Sequence, residues 1–394
     1  MADLRTSAQR LRACYRGEVA DRVPICSPIS WHPMRDIDRE KPGGWRAEAG
    51  FIEIARLVQE FCDPHPLWSP VPPPRVFAPY SYQRFLEAPQ EYIEELPPQR
   101  RSTIRTRRTH ILHTPKGDLT WAYDEDDGIE TRWDIIKPIQ TLEDVDRMLS
   151  VLYRFEPPPP AAFEAHRKYR AEAGPDALGG VSINSMVAML CGVMDYGLML
   201  EWLLAEPAAI RALADAWLER TRQIVDYLLD QGVGPMWHFN GVERACPPMM
   251  SPRQWDQWVV PYDGQIMRQI KSRNPEALIH VHCHGRVGTL LKSFLEMGVD
   301  STDPVEPPPQ GDIEMAAARR IVGDRMVLFG NIEFLDMETR TPQEIEALVR
   351  SAIEQSGKKH LVLYPSATPH ERHTPKMLAN ARGYIEAGLK YGSA

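Results

Sequence analysis

The sequence predicts a single (β/α)8 TIM-barrel domain, residues 1–394, with an N-terminal helical extension over 1–21 and a β-hairpin insertion over 100–139. Three observations carry this. Short apolar, β-rich runs recur along the chain, most of them followed by a Gly/Pro-rich turn and a helical pattern, which is the alternation of βα units around a parallel sheet. Eight such runs are found, the number that closes a barrel. A chain of 394 residues with 43% hydrophobic and 25% charged residues suits one large soluble unit, since α/β barrels routinely exceed about 250 residues as one domain.

The extension "MADLRTSAQRLRACYRGE" is charged and helical. Strands are expected at "RVPICSPI" (22–29), "HPLWSPV" (65–71), "LGGVSIN" (178–184), "GPMWHF" (234–239), "LIHVHC" (278–283), "VDSTDPV" (299–305), "MVLFGN" (326–331) and "HLVLYP" (360–365). The second and sixth carry the weakest apolar signal. In "AAIRALADAWLERTRQIVDYLLDQG", Ile210, Leu213, Trp217, Ile224 and Leu228 recur at helical spacing, and Gly232 ends the run as a C′ glycine. Thr341 and Glu344 have the spacing of a capping box. Before the third strand, Thr, Ile and Trp alternate with polar residues around "TPKGD", the pattern of a hairpin.

The formal charge is −8, and "RTRRTH" is the one basic run. That balance excludes a nucleic-acid footprint and an anionic-membrane anchor, and leaves a small-molecule substrate as the expected partner. Cys14, Cys26, Cys62, Cys191, Cys246 and Cys283 are scattered, without the close spacing of a disulfide framework, and read as reduced thiols of a cytoplasmic protein. The most hydrophobic stretch is interrupted by Asp195 and Glu201, so neither a signal peptide nor a membrane span is expected. The composition suits a monomer or a homodimer.

Barrel enzymes carry their chemistry at the C-terminal ends of the strands. Six expected ends here are polar: Trp31 and His32; His238, Asn240 and Glu243; the "HVHCHGR" end; Asp303, Glu306 and Asp312; Asn331 and Glu333; Ser366, Thr368, His370 and His373. One such end is ordinarily a satisfied structural side chain. Six facing one mouth point to a site.

The stretch "IHVHCHGRVG" admits three readings: a metal site, a general base, or a polar strand end. Alternation puts His280, His282 and His284 on one face, with Val281 and Cys283 on the other, so neighbouring imidazoles can converge on one ion, zinc above all. Cys283, paired with Val281 by alternation, reads as packing.

These residues resemble the uroporphyrinogen decarboxylase superfamily, through "ACYRGEVADRVPI", "MSPRQWDQWVVPYDGQI", the turn beginning at His282, "FLEMGVDSTDPVEPPPQGD", "FGNIEFLD" and "LYPSATP", in that order. Where true decarboxylases of the family carry an "MRQAGRY"-type segment and a late "GHG" turn, this chain has "SWHPMRD" and "YPSATP". A porphyrinogen rich in carboxylates needs several cationic partners. The chain is therefore more similar to the superfamily's zinc-dependent methyltransferases, which act with corrinoid proteins or thiols and carry a His-x-Cys-Gly turn.

In this sequence the turn reads His282-Cys283-His284-Gly285, with His284 at the cysteine position. The related zinc barrel of cobalamin-independent methionine synthase adds a glutamate about twenty residues on and a second cysteine about sixty further. Glu306 lies twenty-two residues after His284, and the position sixty-one residues beyond it is Ala367. The resemblance thus implies zinc on His282, His284 and Glu306, with no second thiolate. His370, His373 and Cys246 are further candidates for the fourth position.

Two imidazoles and a carboxylate leave zinc more electrophilic than thiolates do. The resemblance implies a methyltransferase or demethylase moving a methyl group between a small molecule, such as an aryl ether or thiol, and a corrinoid, thiol or folate acceptor. A partner protein would carry the corrinoid. His238 or Glu243 would donate the proton, and Trp31, His32, Asn331 and Tyr364 would line the pocket. The missing cysteine favours an alternative: a zinc-dependent lyase, decarboxylase or hydrolase acting on a small carboxylated or phenolic substrate. A binding barrel without catalysis leaves six polar strand ends unexplained.

Overall fold

The computed structural model describes residues 4–30, 33–40, 43–63, 93–127, 132–151, 153, 155, 159–367 and 372–394. Two sheets organise it. An antiparallel sheet is built from β1 (Ile93–Glu95), β2 (Gln99–Arg100), β3 (Arg105–Leu112), β4 (Leu119–Asp126) and β5 (Arg132–Ile136). A parallel sheet is built from β6 (Gly180–Asn184), β7 (Met236–Asn240), β8 (Leu278–His282), β9 (Ser301–Val305), β10 (Val327–Ile332) and β11 (Leu361–Pro365), each strand pairing the next in chain order.

The first expected strand joins this sheet beyond β11. Ile25 pairs in parallel with Leu363, the Leu363 amide donates to the Pro24 carbonyl at 2.9 Å, and that of Cys26 donates to the Leu363 carbonyl at 2.9 Å. Seven of the eight expected strands therefore stand in barrel order, and the expected strand at 65–71 lies outside the described residues. The architecture is a TIM barrel. The helices between the strands show why: Ile210, Leu213, Trp217, Ile224 and Leu228 all face the core from the helix Pro207–Asp230. Gly232, at φ +72°, ends that helix as expected, with the amides of Gly232 and Val233 returning to the carbonyls of Leu229 and Leu228. The Thr341 and Glu344 capping box is also present.

The hairpin around "TPKGD" is the β3–β4 pair, and it belongs to a wider sheet than expected. It gains β1, β2 and β5, the first two too short to show a period in sequence. The basic run is neutralised within it. Arg105 pairs with Asp126 and Arg107 with Asp124, both at 2.8 Å, and Arg108 pairs with Glu125.

The barrel's N-terminal end is closed by the helix Leu4–Tyr15. Leu11 and Cys14 pack inside with Leu178, just before β6, and with Met236, Val327 and Val362 at the starts of β7, β10 and β11, and Tyr15 packs against this cluster. A buried ion cluster holds the plug. Asp63, its side chain fully buried, pairs with Arg10 and, at 2.8 Å, with Arg22, and it also accepts the Ile25 amide at 3.0 Å. All six cysteines are buried free thiols, and among the described residues no helix is long and apolar enough to cross a membrane.

Asp263, which opens the helix Asp263–Arg273, is fully buried and accepts the Met186 amide at 3.1 Å. Burial pushes its carboxyl up to about 8. The folded chain therefore holds a proton that the unfolded chain releases near 3.8. That contribution to stability is complete below the unfolded value and is lost as pH rises through about 8. Asp263→Asn is expected to flatten the decline in melting temperature between about pH 6 and 8, read by scanning calorimetry. An unchanged slope would contradict it.

Candidate active site

Four adjacent strands bring the histidines and their partners together by register alone. Ser182 of β6 lies beside His238 of β7, His238 beside His280 of β8, and His280 beside Ser301 of β9. One step nearer the mouth, His282 of β8 lies beside Asp303 of β9. Because side chains alternate across a strand, both tiers belong to one face. The weak apolar signal of "VDSTDPV" has its reason here: Ser301 and Asp303 occupy that face, where polar partners wait.

The hydrogen bonds of His280 are short and buried, and those of His282 and His238 are longer and partly buried. His280, fully buried, engages Ser301 Oγ through Nδ1 at 2.8 Å and Asp303 Oδ1 through Nε2 at 2.6 Å. His282 Nδ1 faces Asp303 Oδ2 at 3.1 Å and Oδ1 at 3.2 Å. His238 Nδ1 meets Ser182 Oγ at 3.1 Å. Burial pushes Asp303 upward, but the imidazoles of His282 and His280 outweigh it and hold the carboxyl well below the usual range. The converse holds for His282. Burial lowers it, the Asp303 charge and hydrogen bond win, with help from Glu243 and Glu306, and the ring is raised to about 9.

Beyond β8 the chain turns at Gly285, whose φ of +97° suits glycine. The turn places His284 Nδ1 on Glu306 Oε1 at 2.8 Å, while Glu306 Oε2 accepts the Gly285 amide at 2.6 Å. The His282 and His284 rings stand edge to face, 4.7 Å between centroids. Cys283 is fully buried, and contact with Cys246 followed by burial lifts its thiol far above the ordinary value, which agrees with packing. Glu243 sits in the turn after β7 with Oε2 buried and without a hydrogen-bond partner, and its charge reaches His282. Glu333, at the end of β10, is also buried. Burial, then the nearby charge of Glu306, pushes it up to about 7, against a hydrogen bond from Ser366.

The expected site residues that fall within the described residues have these places. His238, Glu243, His282, His284 and Glu306 gather at the ends of β7, β8 and β9. Asn331 lies on β10, half-buried. Tyr364 is packed inside the barrel against Phe329, in the apolar cluster that contains Leu11 and Cys14. Trp31, His32, Thr368 and His370 lie outside the described residues. His373 packs against Trp45 and Phe51, with ring centroids 5.0 and 5.2 Å away.

The predicted trio is linked in series through His284, by its ring contact with His282 and its hydrogen bond to Glu306. Among the described residues, the group whose ligand atoms all lie within 4.8 Å of one another is a different one: His238, His280 and Asp303. Asp303 had only a strand-end position to recommend it, and Ser301 had no separate signal. The i, i+2 spacing of Ser301 and Asp303 in a weakly apolar strand was the clue to both.

The uroporphyrinogen decarboxylase (URO-D) family model matches residues 128–379. Among curated proteins, the uroporphyrinogen decarboxylase of Gloeobacter violaceus is 26% identical over 141 residues, covering 35% of this chain and 37% of that protein. That of Sphingopyxis alaskensis is 30% identical over 97 residues, covering 25% and 27%. These matches take in about a third of the relatives' length or less. Among solved structures, a methyltransferase from Methanosarcina mazei has the same fold, with a TM-score of 0.57 at 16% identity over 99% of both chains. With the family model matched over more than half of its residues, the chain belongs to the uroporphyrinogen decarboxylase (URO-D) family.

Proposed function

We propose that the protein is a zinc-dependent methyltransferase or demethylase, moving a methyl group between a small aryl ether or thiol and a corrinoid, thiol or folate acceptor. A separate protein would carry the corrinoid. The observation that carries the reading is the pair of imidazoles at the barrel mouth, each backed at Nδ1 by a carboxylate: His282 by Asp303 and His284 by Glu306. A carboxylate on one ring nitrogen leaves the other to act as a metal ligand and raises its basicity. We assign a divalent ion to the remaining ring nitrogens of His282 and His284, with Glu306, whose two oxygens engage His284 Nδ1 and the Gly285 amide, holding the turn. A bound ion of this kind supplies a Lewis acid that polarises an ether or activates a thiol.

The remaining work falls to the chain. Asp303 and Glu306 hold the two rings in one tautomer. Either Glu243, with a buried oxygen that makes no hydrogen bond, or His238, held by Ser182, serves as the proton donor to a leaving oxygen. Asn331 orients the substrate from β10. The fold shared with the Methanosarcina mazei methyltransferase supports the reading.

A second reading keeps the zinc and drops the methyl transfer. Ala367, where the resemblance to methionine synthase asks for a cysteine, favours a lyase, decarboxylase or hydrolase on a small carboxylated or phenolic substrate. The test is methyl transfer from methoxybenzene and methoxybenzoate probes to cob(I)alamin, a thiol or tetrahydrofolate, with and without prior metal removal. Methylation of one acceptor, abolished by metal removal, is the expected result. Release of carbon dioxide or a phenol with no acceptor methylated would transfer the assignment to the second reading.

A further inference from the structure

The loops that follow β7, β8 and β9 enclose a groove of about 540 Å³ at the mouth end of the barrel. That volume falls within the range of about 300–1,000 Å³ usual for small-molecule sites, so the groove has room for a substrate of one aromatic ring. It adjoins the histidine turn. Arg286, in its wall, follows His284 by two positions. Glu306, which accepts the Gly285 amide at 2.6 Å, begins the loop that supplies the opposite wall through Pro308, Pro309 and Asp312. Gly311 lets that loop fold tightly, since a Cβ there would stand 1.9 Å from the Glu306 carbonyl oxygen.

The walls offer apolar surface and few donors. Pro247, Pro252, Pro308 and Pro309 bring rings without an N–H. The Gly311 amide is spent on the Pro307 carbonyl at 3.0 Å, and Asp312 Oδ1 accepts the Gly288 amide at 2.8 Å. Arg286 is exposed, and among the described residues its guanidinium makes no hydrogen bond or ion pair. It is the basic side chain of the groove, and its planar fork matches the two oxygens of a carboxylate.

The surrounding charge narrows the ligand further. Glu243, Asp303, Glu306 and Glu333 make the mouth acidic, so an anionic substrate needs a cation at the rim. One guanidinium, with Asp312 in the same groove, balances a monoanion and leaves a phosphate dianion uncompensated. We propose that Arg286 anchors a carboxylate of the substrate, whose apolar body lies against the prolines and whose reacting end points to His282 and His284. The direction of the reacting end rests on the methyltransferase reading above; the carboxylate anchor does not.

The experiment uses the full chain, as wild type, Arg286→Gln, Arg286→Lys and Arg253→Gln. Arg253, exposed on the helix Pro252–Trp258, removes one nearby positive charge without altering the groove's lining. Calorimetric titration of metal-free protein compares 4-methoxybenzoate with the neutral 4-methoxybenzamide. The wild type and Arg253→Gln are expected to prefer the acid by at least about tenfold, the scale of a charge-assisted hydrogen bond. Arg286→Gln is expected to bind both probes alike, and Arg286→Lys, which keeps the charge without the fork, to fall between. A wild type without the preference, a preference kept in Arg286→Gln, or an equal loss in Arg253→Gln would overturn the proposal. An Arg286-dependent preference in a protein that methylates no acceptor would uphold the anchor and remove the methyltransferase reading instead.

Discussion

Asp63→Ala is expected to destabilise the fold by about 3 kcal/mol, the lower end of what breaking a buried ion pair costs. Asp63 is fully buried, and its partners Arg10 and Arg22 expose only 7% and 9% of their side chains. Removing the carboxylate strands two guanidinium groups away from water. The lower end applies because neither is wholly orphaned: Arg10 retains Asp21, while Arg22 retains the Val23 and Phe61 carbonyls. The Ile25 amide also loses its acceptor, so the damage spreads to the first strand and its pairing with β11. Urea unfolding would measure the change, and a midpoint within error of the wild type would refute this account of how the plug is held.

The second large effect concerns the metal. His282→Ala and His284→Ala are each expected to lower the zinc content of protein purified without chelator from one ion per chain to near zero. Glu306→Gln is expected to bind zinc more weakly than the wild type and more tightly than either alanine variant. It keeps an oxygen facing the Gly285 amide or the His284 ring, but not the charge that holds both. Loss of an outer partner costs roughly 10–100-fold in affinity, and loss of a ligand costs more. Elemental analysis and chelator competition give the order. Equal losses in all three variants would make Glu306 a full ligand; an unaffected His284→Ala would move the ion off the turn.

Much of the barrel was legible because its strands are short, apolar and separated by helices with clear periods and caps, such as 207–230 and 342–356. The hairpin was legible through alternation around "TPKGD", whereas β1 and β2, of three and two residues, are below the length at which a period shows. The histidines of β8 announced themselves by spacing. Their supports did not, because a hydrogen bond between Tyr15 and Ser301 joins residues 286 apart and leaves no local pattern. Asp303 was hidden for a related reason: its partners, His280 and His282, are fixed by register with the neighbouring strand rather than by anything within "VDSTDPV". Tyr364, expected as a pocket wall from its place near a strand end, lies by alternation in the interior cluster beside Phe329.

The most direct test of the site is an anomalous difference map from crystals of the full chain grown with zinc and measured on both sides of the zinc edge. A single strong peak between His282 and His284, on the side of their Nε2 atoms and within reach of Glu306, is the expected result. A peak enclosed by His238, His280 and Asp303, or no peak in zinc-grown crystals, would contradict it.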